Sequence, residues 1–126
     1  MRRTLWLAVL CLALVGSSAQ AQELCSSLRG ATVVADDGTY LGTIDAATVS
    51  ESILNEYGTY GSKYSAKSIW NEFGTYGSEF STQSPFNRYS STPPAVVRRG
   101  DIIGYLSVNR NVRGAVNPYV IKSCEF

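Results

Sequence analysis

Glu56 and Glu72 come nearest to a catalytic pair, because two carboxylates on either side of a glycosidic bond can run its hydrolysis. They occupy matching places in two near-identical stretches, "SILNEYGTYGSKYS" (Ser52–Ser65) and "SIWNEFGTYGSEFS" (Ser68–Ser81). A third, shorter copy, "SPFNRYSST", puts Arg88 where the acid would stand. A catalytic acid is needed once, whereas a scaffold residue is needed in every unit. Glu56 and Glu72 therefore read as solvent-facing acids near the start of a turn. The rest of the catalytic vocabulary is thin. The chain has no His, which removes the ordinary Ser–His and Cys–His nucleophile systems. It has no glycine loop of the phosphate- or dinucleotide-cradling type. Asp36, Asp37 and Asp45 lack the alternating spacing of a calcium loop and read as turn residues. No catalytic residue, cofactor or metal site is expected.

Rings are the richer resource. Tyr57, Tyr60, Tyr64, Trp70, Phe73, Tyr76, Phe80, Phe86 and Tyr89 crowd into one stretch, interleaved with Asn, Ser and Gly. A flat apolar face beside short hydrogen-bonding side chains is what sugar- and peptide-binding surfaces use. Trp70, Tyr60, Tyr76, Asn55 and Asn71 are the candidate ligand-facing residues. Trp70 stands out because its counterpart one copy earlier is Leu54. Many of the remaining rings must serve as core, since large aliphatic residues are few.

The elements that position these residues follow from the repeat. The first two copies agree at 10 of 14 positions, and the period is 16 residues. Ser68 can cap a helical turn, Ile69 and Phe73 lie four apart, and Gly74 suits a helix end. Each copy is expected to begin with a short helical turn, with Tyr57, Phe73 and Tyr89 buried in equivalent places. Lys63 and Glu79 hold matching positions with opposite charge and would face each other if the units stack. Two and a half copies make an insert, residues 52–94, and not a long solenoid.

The insert is flanked by two hairpin patterns. "ATVVADDGTYLGTI" (Ala31–Ile44) places Asp36-Asp37-Gly38 between β-branched and aromatic runs,. Gly42 within it marks a bulge or a close backbone approach. "AVVRRGDIIGYLSVN" (Ala95–Asn109) is built alike around Arg98-Arg99-Gly100-Asp101. Neither hairpin is stable alone. Together they predict an α+β domain: a small antiparallel sheet of two hairpins carrying the repeat insert. Beyond them, Asn117-Pro118 suits a helix start, while Val116 to Ile121 equally suits an edge strand.

The chain opens with Arg2-Arg3, an apolar run to Val15 and Ala19-Gln20-Ala21, the order of a secretory signal peptide over residues 1–21,. The run is too short to span a bilayer with margin. Cleavage leaves a single domain, residues 22–126, with nine of the 11 Lys and Arg against 10 Asp and Glu. A net charge of −1 without a basic stripe excludes nucleic acid as a natural partner. Cys25 and Cys124 then read as one disulfide in an oxidising compartment.

With repeats of the form S-I-x-N-x-[YF]-G-x-Y-G-S-x-[YF]-S, a Pro-Pro pair and "GYLSVN", the chain resembles a group of small exported bacterial proteins over roughly Asp37 to Ile121. The resemblance implies export and carries no activity. The sequence thus predicts a secreted or periplasmic, non-catalytic binding or structural module, with a cell-envelope glycan or protein as partner and no membrane contact after cleavage. The alternatives are an envelope-acting carboxylate hydrolase and a self-assembling surface protein.

Overall fold

The computed structural model describes residues 19–126. Most of the expected signal segment lies outside the described residues. Ala21 and Gln22, on either side of the expected cleavage point, are exposed within helix α1 (residues 19–28). The strands are β1 (Thr32–Val34), β2 (Tyr40–Thr43), β3 (Ala95–Arg98), β4 (Asp101–Leu106) and β5 (Ala115–Val116), and helix α2 (Pro118–Lys122) follows. The domain is α+β, and its sheet runs β2-β1-β3-β4-β5.

The two expected hairpins are β1–β2 and β3–β4. They join edge to edge through antiparallel β1 and β3, with Val33 opposite Val96. In the second turn Arg99 and Gly100 both have positive φ, 53° and 84°. That pairing suits the right-handed twist of a hairpin, and glycine reaches it without a Cβ clash.

The sheet is mixed where a purely antiparallel one was expected. The loop after β4 carries the chain round so that β5 lies parallel to it, with Tyr105 beside Ala115. Val116 to Ile121 is not one edge strand, because Tyr119, Val120 and Ile121 are helical. Ala115 and Val116 form the edge strand, and Asn117 caps α2 by accepting from the Tyr119 N–H, with Pro118 opening the helix. A proline is tolerated there because the first helical N–H has no partner within the helix.

One face of the sheet is closed. Val33, Leu41, Val96 and Leu106 from the strands meet Ile44, the repeat residues Ile53 and Ile69, and Leu28 and Ile121 from the two helices, all buried. The Cys25–Cys124 disulfide ties α1 to the segment after α2. Arg98 secures α1 a second way, donating to the carbonyls of Ser27 and Arg29, each at 2.7 Å. A cation suits the carbonyl end of a helix.

The repeat insert contains no helix; it is a chain of linked turns. The N–H of Asn55 donates to Ser52, that of Gly58 to Asn55, Ser62 to Gly58, Ser65 to Ser62 and Ser68 to Ser65. The second copy repeats this at Asn71, Gly74, Ser78, Ser81 and Ser84, and the third begins it again at Asn87 and Ser90. The helix expectation fails for a physical reason. Ser and Asn side chains bond the backbone N–H two residues on, which closes a turn and competes with a helical bond. That bond recurs from Ser52 to Leu54, Asn55 to Tyr57, Ser68 to Trp70, Asn71 to Phe73, Ser84 to Phe86 and Asn87 to Tyr89, all between 3.0 and 3.1 Å. The signal was legible: Ser, Asn or Gly every third residue, with one four-residue step per copy.

Candidate functional site

Each linking residue is followed two places later by a larger side chain, so the ribbon presents rings in a fixed order. Equivalent positions share a fate in every copy. Ile53, Ile69 and Pro85 are fully buried against the sheet, and Ser52, Ser68 and Ser84 are buried beside them. Leu54, Trp70 and Phe86 are half-buried, as are Tyr60 and Tyr76.

The burial expected for Tyr57, Phe73 and Tyr89 is overturned. These rings are 98%, 92% and 85% exposed, and Tyr64 and Phe80 are 81% and 84% exposed. The copies do adopt one local conformation, but the isoleucine, not the ring four residues on, faces the core. A helix would have set both on one side. A turn every three residues sends the second outward.

The five nominated ligand-facing residues divide. Asn55 and Asn71 spend their amides on the ribbon. Each accepts from the N–H two residues on and donates Nδ2 to a carbonyl six residues back, Val49 and Ser65 respectively. Asn87 does the same with Ser81. These are turn-building groups. Tyr60 and Tyr76 clamp the ribbon onto the first hairpin. The Tyr60 ring meets Tyr40 edge-on, centroids 5.1 Å apart. The Tyr76 hydroxyl donates to Asp37 Oδ2 at 2.8 Å and lies 3.0 Å from Thr39 Oγ1. The Asp37 carboxylate also accepts from the Thr39 backbone N–H at 2.9 Å, and hydrogen bonds from Thr39 first, then Tyr76, with a smaller contribution from Gln83, hold it below its ordinary value. Gly42 makes the clamp possible. Its φ is 103°, and a Cβ there would stand 2.6 Å from Tyr60 Cβ and from the Glu51 carbonyl oxygen.

Trp70 remains. Its indole N–H donates to the Ile53 carbonyl at 2.6 Å, linking the second unit to the first. Its ring packs against Phe86 and Tyr119. The corresponding position in the first unit holds Leu54, which carries no ring to continue the stack. There a groove of about 760 Å3 opens, bordered by Leu54, Trp70, Tyr57, Tyr64 and Phe126. Its volume falls in the range of small-ligand sites. The Lys122 ammonium lies 4.7 Å from the Trp70 ring centroid, a cation over a π face,. Lys63, Glu56 and Glu125 complete the charged lining. Glu72, the other half of the sequence-proposed carboxylate pair, does not border this groove. Glu125 and Phe126 were missed in the sequence because only the Cys25–Cys124 closure brings the C-terminal segment here.

Chemically, the groove offers an apolar floor, aromatic walls and charges of both signs at its rim. That combination can seat a ligand with a flat apolar face and a charged or hydroxylated edge. No family model matches this chain, and no curated protein or solved structure matches it.

Proposed function

We propose that this protein is an extracytoplasmic, non-catalytic binding module whose ligand, a fragment of cell-envelope glycan or its attached peptide, seats against Trp70. The observation that carries this reading is the half-exposed indole with the Lys122 ammonium over its ring, set in a groove that exists because Leu54 interrupts the ring stack. Sugar rings and peptide side chains alike pack on an indole face, and the rim charges orient them. The disulfide supports an oxidising compartment,. The absence of His from the sequence supports a binding role over nucleophilic catalysis,.

Beyond the expected cleavage point Trp70 is the only tryptophan, so its fluorescence reports directly on the groove. Titration with soluble peptidoglycan fragments should give a saturable change in intensity or wavelength. Lys122→Ala should weaken it with little loss of stability, because Lys122 is exposed. Fluorescence that does not respond to the fragments defeats the reading. A second reading, a carboxylate hydrolase, is favoured by Glu56 and Glu125 bordering the same groove,. It requires release of new reducing ends from the same fragments, and their loss on Glu56→Gln.

A further inference from the structure

Tyr64 and Phe80 occupy equivalent positions one period apart, each over four-fifths exposed. Each is preceded by an exposed charged residue of opposite sign, Lys63 and Glu79. A side-by-side pairing of these two charges within the chain was the natural expectation of the repeat. It does not form: among the described residues the one ion pair is Arg29–Asp45, at 3.4 Å. Lys63 instead reaches over its own neighbour, 5.3 Å from the Tyr64 ring centroid. Two large rings and two complementary charges are therefore left facing water.

We propose that this column is the interface of a two-fold dimer of this chain. A two-fold interface is self-complementary: if residue i of one copy meets residue j of the other, j of the first meets i of the second. A column of two members with opposite charge meets that condition. Laid antiparallel on a second copy, Lys63 meets the other Glu79, Glu79 meets the other Lys63, and Tyr64 and Phe80 cover one another between them. The column cannot extend further, because the next positions in the period are Ala95 and Val96, which belong to β3.

The other exposed column has three members. Tyr57, Phe73 and Tyr89 follow Glu56, Glu72 and Arg88. A two-fold centred on its middle unit would pair Glu56 with Arg88 but set Glu72 against its own copy, carboxylate against carboxylate, which costs affinity. Only the Tyr64–Phe80 column pairs every charge it carries, so the two-fold belongs there. A net charge close to zero places little long-range repulsion in the way of association,. Lys63 and Tyr64 also border the Trp70 groove, so the second copy would add a wall to it. The dimer does not depend on any ligand being bound there.

The test is sedimentation velocity of the exported chain, disulfide intact, over a wide concentration range. A concentration-dependent monomer–dimer equilibrium is expected, weakened by added salt. Lys63→Glu and Glu79→Lys should each raise the dimer dissociation constant about tenfold or more, because each reversal acts at two symmetry-related contacts. The double variant Lys63→Glu/Glu79→Lys should return it to within about threefold of the parent, since both pairs are re-formed with signs exchanged. Thermal melts close to the parent's would show that the single variants remain folded, as expected for exposed residues. A chain that stays monomeric throughout overturns the proposal. So does a dimer that either single reversal leaves untouched, or one that the double reversal fails to restore.

Discussion

Trp70 and Phe86 stand one 16-residue period apart, and their rings pack with centroids 5.6 Å from each other. A residue of one unit thus lies on its own counterpart in the next. The Trp70 indole bond to Ile53, 17 residues back, repeats the pattern on the other side. The units are stacked, and the stack loses its ring at Leu54, where the groove begins.

The indole bond sets the first test. Trp70→Phe keeps a ring against Phe86 but leaves the Ile53 carbonyl without its donor. We expect a loss of about 1–3 kcal/mol in chemical denaturation, the usual cost of an unpaired, partly buried polar group. A change near zero would mean water replaces the indole without cost.

Two glycines of one repeat should behave oppositely. A Cβ on Gly77 would stand 2.1 Å from the Asn71 carbonyl oxygen, whereas on Gly74 its nearest neighbour is the Asn71 side-chain Nδ2 at 3.2 Å. The third unit already carries Ser90 at the place of Gly74, its hydroxyl donating to the Thr82 carbonyl. Gly74→Ser should therefore be tolerated within about 1 kcal/mol, while Gly77→Ala should cost about 3 kcal/mol or more by overpacking. Paired thermal melts decide between them.

Ring and aliphatic residues of one unit also separate. Ile69 is fully buried, and Phe73 is almost fully exposed. Ile69→Ala should destabilise by about 2–5 kcal/mol. Phe73→Ala should stay within about 0.5 kcal/mol, as surface substitutions do. The reverse order in urea unfolding would show that the ring, and not the isoleucine, is the packing residue.

Thiol titration of the unreduced, denatured protein should find Cys25 and Cys124 bonded. The bridge joins residues 99 apart in sequence. Closing a loop of about 100 residues is worth about 4.7 kcal/mol in the chain-entropy model, an upper figure in practice. Reduction should lower the urea midpoint accordingly.

Tyr40 should ionise well above the ordinary tyrosine value. Burial, then its hydrogen bond and charge repulsion with Glu51, push its hydroxyl up to about 12. The unfolded value is about 10, so the neutral form is favoured in the fold. That contribution is complete below about pH 10 and is lost as pH rises through about 12. In an ultraviolet tyrosinate titration, Tyr40→Phe should remove the step at about pH 12. Retention of that step would assign it elsewhere.

Much of the architecture is written locally. Gly38 and Gly100 between β-branched runs mark the two hairpins, because turns with positive φ select glycine. Two cysteines beyond the expected cleavage point mark a bridge. The Ser, Asn and Gly spacing of the repeat dictates its conformation, since each Ser or Asn side chain closes its turn on the backbone two residues on. The direction in which each unit points is another matter. Ile69 and Phe73 are both apolar and both in register, and nothing local says which one meets the sheet. That depends on the three-residue turn setting them on opposite sides once Ile53 and Ile69 enter the core beside Val33 and Leu41. Likewise Leu54 is a small departure in the sequence. It becomes the mouth of a groove only when the second unit is stacked on the first and the Cys25–Cys124 bridge brings Lys122, Glu125 and Phe126 alongside. Contacts between residues far apart in the chain arise from closure of the fold, and short-range preferences do not encode them.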